Sequence, residues 1–323
     1  MKRNIELDMA RALCVIYIVC FLHLQGYSPN YQWFADSVMF YMEHITNIVL
    51  GCFTFISGLF LGKKKIFTFN DILNFYKKRL SRFYLMFFVA ITSIYVLSLV
   101  GHFFWFPSLK HFLVALIGMS NFTFNPPTFW FIEMLMLFYF VTPFVLVLQS
   151  KFKQICLMIG IYIFFLICYY YHHLDYRLLL YFPIYVLGMK IPIRYIEKLE
   201  VKKYLYGISI ICSLLLALAI LSQQKILNSF FAESLIYEIW IIFIGTMFIV
   251  VISKILCKNY MISRFGALLA YLSMAAYMFH RHIYYLFTLC GDSFESCWFN
   301  AIAAFTVLVL SFFIQKGFDK IKY

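Results

Sequence analysis

Apolar residues fall into ten runs separated by short clusters of charged or turn residues: Met9–Leu24, Val38–Leu61, Phe83–Phe106, Phe129–Leu148, Gln154–Tyr171, Leu178–Met189, Tyr204–Leu221, Leu235–Ile252, Phe265–Cys290 and Trp298–Ile314. A bilayer core of about 30 Å takes roughly 20 helical residues at 1.5 Å each, so runs of this length predict membrane-spanning helices. Leu178–Met189 is short for a span, and Leu113–Met119 reads as an interfacial or re-entrant helix. The pattern therefore predicts an all-α fold, a polytopic transmembrane helix bundle of about ten spans, with nine or eleven depending on how those two segments are counted.

Composition removes the main competing class. The 323 residues are 64% apolar, 22% aromatic and only 13% charged, with a mean hydropathy of +0.86. A soluble globular enzyme carries about a quarter charged residues, so that class is excluded. The spans leave only short connections, and residues 1–323 are read as a single integral membrane domain with no extracellular catalytic extension. A net charge of +13 would suggest nucleic acid in a soluble protein. Here it follows topology instead. With the N-terminus inside, segments 1–8, 62–82, 149–154, 190–203, 253–264 and 315–323 face the cytoplasm and hold 22 of the 27 Lys and Arg residues. The outer loops keep only Lys110, Arg177 and Lys225, the asymmetry that sets orientation. Both termini are predicted to be cytoplasmic, and the basic segments point to membrane lipids and not to nucleic acid. The first run follows Lys2 and Arg3 as a signal peptide would, but it contains Asp8, Arg11 and His23 and lacks a small-residue cleavage site. It is read as a permanent helix. The nine cysteines include no C-x-x-C pair and lie mostly in apolar runs, as small buried hydrophobes do; only Cys290 and Cys297 flank a polar loop where a disulfide could form.

Ionisable groups inside spans are costly and mark functional sites by default. Topology sorts them into two layers. On the inner side, Asp8 and Arg11 begin the first span, and Arg79 and Arg82 close the basic stretch that starts at Lys63. Arginines there could clamp phosphates bidentately, as a nucleotide-bearing cytoplasmic donor requires, or could sit with the lysines on anionic lipid. On the outer side lie His23, Glu43, His44, Glu133, His280, Arg281 and His282. A carboxylate holding an imidazole that takes a proton from a hydroxyl is ordinary general-base chemistry at neutral pH. Each histidine could instead be a satisfied interhelical hydrogen-bonder, above all His44 and His282. His280 and His282 stand about 200° apart on a helix, so an unbroken helix turns only one of them to a common cavity.

Other catalytic patterns are missing from the sequence. It contains no nucleophile elbow, no H-E-x-x-H, and no dinucleotide or P-loop glycine motif. His172, His173 and Asp175 cluster in an outer loop, but adjacent histidines do not reproduce the i, i+4 geometry of a helical metal site, and no metal is expected.

Six motifs in order resemble the bacterial acyltransferase 3 family of integral membrane O-acyltransferases. Leu7–Leu13 with the run to His23 resembles its opening Asp-x-x-Arg helix that ends in an essential His. Phe53–Gly58 resembles its Ser-Gly helix end, Lys78–Arg82 its Arg-x-x-Arg segment and Trp130–Glu133 its Trp-Phe helix. Phe182–Gly188 is similar to its Gly-terminated helix, and Tyr277–His280 to its Tyr-x-x-His. The resemblance implies transfer of an acyl group, most simply acetyl from acetyl-CoA, to a hydroxyl of a cell-surface or exported glycan at the bacterial cytoplasmic membrane. The acceptor would be a glycan or lipid-linked saccharide, with a homo-oligomer or a polysaccharide-assembly protein as further partners. In that reading Arg11, Arg79 and Arg82 hold the CoA phosphates or line the donor entrance, although Arg11 could equally pair with Asp8, and His23 is the base or, alternatively, the acylated carrier. Glu133 orients His23, while His280, Arg281 and Trp130 bind the acceptor and the oxyanion. One departure stands out. Eleven residues separate Arg11 from His23 where the family commonly has ten, which on an ideal α-helix sets them about 120° apart instead of about 20°. A π-bulge between them would restore a common face. A polysaccharide exporter or lipid-linked glycan flippase is the alternative class, since a wet, aromatic-lined cavity suits both.

Overall fold

Nine of the ten apolar runs fall on helices in the computed structural model, which describes residues 4–27, 29–101, 105–123, 129–199, 207, 231–289 and 297–321. Residues 25, 26, 29–41, 82, 231–234 and 297 are described by their backbone alone. The tenth run, Tyr204–Leu221, lies outside the described residues apart from Gly207, and so does the pairing of Cys290 with Cys297. Among the described residues no strand occurs, and the fold is all-α. In chain order the helices are α1 (Ile5–Ile16), α2 (Pro29–Leu61), α3 (Phe69–Val100), α4 (Leu109–Leu116), α5 (Trp130–Val147), α6 (Lys151–Tyr170), α7 (Tyr176–Lys190), α8 (Ile193–Glu197), α9 (Phe231–Leu256), α10 (Tyr260–Leu289) and α11 (Cys297–Asp319). A π-helical segment, Tyr17–Leu22, extends α1, and the Leu113–Met119 stretch becomes α4 followed by a 3₁₀ turn at Ser120–Phe122.

Seven of these helices are long and apolar enough to cross a membrane: α2, α3, α5, α6, α9, α10 and α11. The chain is a multi-pass membrane protein. Helix starts carry the polar groups that satisfy otherwise orphaned backbone amides. Asn4 accepts from the Leu7 N–H at 3.0 Å to start α1. Thr68 and Asp71 form a reciprocal capping box at the head of α3.

The chain divides into two compact units, residues 1–18, 38–63 and 183–271 in the first and 19–37, 64–182 and 272–323 in the second. In the first, α1 packs on α9. Here α2 and α7 meet backbone to backbone. A Cβ placed on Gly58 would overlap the Tyr185 carbonyl, and one placed on Gly188 would overlap the Phe55 carbonyl. Lipid gives helices no hydrophobic reason to associate, so close contact through small residues supplies the attraction. Lys254, 8% exposed, joins three elements of this unit: Nζ lies 3.5 Å from Glu6 Oε2 and donates to the carbonyls of Glu197 (2.8 Å) and Leu199 (3.4 Å).

In the second unit α5 packs on α3 and α6, and α4 lies along α3. The Tyr84 hydroxyl donates to the Leu116 carbonyl at 2.8 Å, and the rings of Tyr95 and Phe112 stack at 4.0 Å. Only 11% of the α6 span is buried against the chain, so this helix turns most of its surface outward, as a lipid-facing helix does.

Candidate functional site

In the second unit, His23 is the first residue after the π segment. The His23 and His280 rings stack with centroids 4.5 Å apart and planes within 5°. His280 is wholly buried, while His23 keeps part of its surface exposed. The His280 Nδ1 lies 3.0 Å from the Ala276 carbonyl, one turn earlier in α10. A carbonyl only accepts, so Nδ1 carries a proton. The His280 Nε2, and Nδ1 of His23, are buried without a hydrogen-bond partner among the described residues. Two orphaned imidazole nitrogens in one stack are unusual, because a buried polar group without a partner costs about 1–3 kcal/mol. Groups left so are natural partners for a ligand.

Around the stack, one stripe of α10 supplies Tyr277, His280 and Tyr284. Tyr277 and Tyr284 approach the His280 ring with centroids at 6.0 and 5.9 Å. The Tyr284 hydroxyl donates to the Val19 carbonyl inside the π segment at 2.6 Å. Arg281 bonds the Tyr27 hydroxyl and lies over the Trp105 ring with Cζ 5.4 Å from its centroid. Its Nε is buried without a hydrogen-bond partner among the described residues. His282 turns to α3 instead: Nε2 is 2.8 Å from the Ala90 carbonyl and 2.9 Å from Ser93 Oγ.

Glu133 is completely buried at the head of α5. Its Oε2 accepts from both the backbone N–H and the hydroxyl of Ser120, each at 2.7 Å, which ties α5 to the 3₁₀ turn. The Asn121 backbone N–H also turns toward this carboxylate, and Oε1 meets no partner in full hydrogen-bond geometry among the described residues. No contact between Glu133 and His23 is found among the described residues. Asn121 extends this support by donating to the Trp130 carbonyl at 2.9 Å and accepting from the Asp175 N–H at 3.0 Å. Trp130 is covered on one face by the Arg177 guanidinium, 3.9 Å above the ring centroid. Asp175 holds that guanidinium bidentately, accepting from Nε at 2.8 Å and Nη2 at 2.6 Å. Cation–π stacking and a paired carboxylate together fix Arg177 flat on the indole.

The inner-layer residues are placed separately. In the first unit, Arg11 Nη1 lies 3.8 Å from Asp8 Oδ1. In the second, Arg79 is exposed near the start of α3, and the Arg82 side chain lies outside the described residues. Among the described residues no group of three metal-ligating side chains gathers.

Comparison with known proteins gives these positions a family. A family model described as an acyltransferase domain matches residues 4–316. The chain belongs to the acyltransferase 3 family. It is a membrane acyltransferase, and the resemblance carried by the six motifs is shown. No curated protein and no solved structure matches in the two other comparisons. Within this acyltransferase, the motif histidines His23 and His280, far apart in sequence, are the two that stack.

Four partners of the site escaped sequence reasoning: Tyr284, Tyr27, Ser120 and Arg177. The sequence contains 25 tyrosines, so position alone does not single out Tyr27 or Tyr284. Arg177 carried a usable signal, being one of few basic residues left outside. In the first unit, Glu238 was also missed, although it is a lone carboxylate in an apolar run just as Glu133 is.

Proposed function

We propose that this acyltransferase moves an acetyl group from cytoplasmic acetyl-CoA to a hydroxyl of a cell-surface or exported glycan at the outer face of the bacterial cytoplasmic membrane. The stacked His23 and His280 rings, with their unpartnered buried nitrogens, carry this reading. His23 takes the proton from the acceptor hydroxyl as its oxygen attacks the thioester carbonyl. The tetrahedral intermediate then collapses, the C–S bond breaks, and the proton passes from His23 to the departing CoA thiolate. The products are the O-acyl glycan and CoA.

The other groups take supporting parts. Arg281 stabilises the oxyanion as charge develops, and His280 holds the His23 ring and the acceptor. Glu133 holds the turn at Ser120 and offers its remaining oxygen to His23 or the acceptor. Trp130, with Arg177 over it, forms an acceptor-binding wall. At the other end of the same unit Arg79 and Arg82 hold the CoA phosphates. Arg79 precedes Ser93, the partner of His282, by 14 positions in one helix, about 21 Å at 1.5 Å per residue, a distance the extended pantetheine arm has to cover.

The test is mass spectrometry of the surface glycan from cells with and without the protein. Ester-linked acetyl present only with the protein is the expected result. A glycan that reaches the surface only with the protein, and carries no ester, would replace transfer by export.

A further inference from the structure

The π segment between α1 and His23 has a consequence for how the base is held. A π-turn inserts one extra residue into an α-helix and loosens its hydrogen-bond ladder, so a side chain from outside can bond a carbonyl there. In a membrane no bulk water is at hand to do this. The donor here is the Tyr284 hydroxyl, on the Val19 carbonyl at 2.6 Å. Tyr284 is fully buried and lies one helical turn after His280 on α10. One stripe of α10 therefore grips the same short stretch twice, through the His280 ring on the His23 ring and through Tyr284 on the backbone four residues earlier. Tyr27, just beyond His23, closes on the Tyr284 ring at 5.5 Å.

We infer that Tyr284 is a positioning residue for His23: its hydroxyl fixes the π-helical register at Val19 and so sets where the His23 ring meets the acceptor hydroxyl. It touches neither substrate, and its effect passes through the Val19 backbone. The inference rests on His23 acting as the base.

The experiment compares wild type, Tyr284→Phe and His23→Ala in membrane vesicles that contain the native acceptor, with acetyl-CoA titrated as donor and release of the CoA thiol as the readout. Phe keeps the ring packing and removes only the hydroxyl. Tyr284→Phe is expected to lower kcat by roughly ten- to a hundredfold, the scale on which displacement of a catalytic group is felt, with KM for acetyl-CoA within about twofold of wild type. Adding Tyr284→Phe to His23→Ala should cause no further loss, because the base it positions is already gone. Wild-type kcat in Tyr284→Phe, with His23→Ala inactive, would overturn the positioning role and leave the base in place. A fall in KM affinity and folded yield together with kcat, or an additive loss in the double variant, would mark a structural residue and would also overturn it. Undiminished turnover in His23→Ala would remove the base itself, an outcome distinct from either.

Discussion

Two histidine clusters, one in each unit, meet different partners. In the first unit His44 Nδ1 sits 2.8 Å from Glu238 Oε1, while Asn47 Nδ2 approaches the other oxygen of that carboxylate at 3.5 Å. Nearby, the Tyr17 hydroxyl shares a 3.1 Å bond with Thr46 and lies 3.2 Å from the Met42 carbonyl. An imidazole meets a carboxylate there, and helix is tied to helix. In the second unit His23 has no carboxylate against it among the described residues; it has another imidazole, and each ring keeps a buried nitrogen without a partner. A carboxylate and imidazole pair resembles a catalytic dyad on paper, yet the proposed function rests on the cluster in which two stacked rings each keep an unpartnered nitrogen among the described residues. Unpaired polar atoms in a low-dielectric interior are expensive, and they persist where substrate completes them.

This contrast can be broken from either side. Replacing His23 by Ala should have the largest effect, a loss of about 10²–10⁴ in acyl transfer, the range expected when a general base is removed. Gly188→Leu in the first unit should come next, because its side chain would enter the Phe55 backbone where α7 crosses α2. Overpacking of this kind costs about 1–3 kcal/mol or more, and should appear as a sharply reduced yield of folded protein on detergent size-exclusion chromatography. His280→Asn should lower kcat about tenfold while protein yield holds, since it removes the stacked ring but keeps a polar side chain; each tenfold is about 1.4 kcal/mol of barrier. The smallest effect is expected at Glu238→Gln. Interhelical hydrogen bonds in membranes average about 0.6 kcal/mol, so thermal unfolding in detergent should shift slightly and transfer should remain within about twofold. Transfer lost in Glu238→Gln at full protein yield would reverse the assignment of the two clusters.

Much of the fold could be read along the chain because lipid imposes one rule: every span must be helical and apolar. That rule placed the helices around Glu133 and His280 without reference to packing. The extra residue between Arg11 and His23 was also informative, since an insertion of one residue in a helix is most simply absorbed as a π-turn, and Tyr17–Leu22 is π-helical. Angular arithmetic separated His280 from His282, and the structure sends one to His23 and the other to Ser93 and Ala90. Helical periodicity does not report which hydroxyl meets which carbonyl across helices, so Tyr284 on Val19 and Ser120 on Glu133 had no sequence signature. The Arg177 guanidinium over Trp130 is another cross-element contact that helical periodicity does not report.

The most direct test of the central claim is the ester content of surface glycan from cells expressing wild type and His23→Ala at equal levels, read by mass spectrometry. The account predicts ester-linked acyl groups with wild type and their loss in the variant, with the glycan still at the surface in both. Esters that persist in His23→Ala would contradict the base assignment.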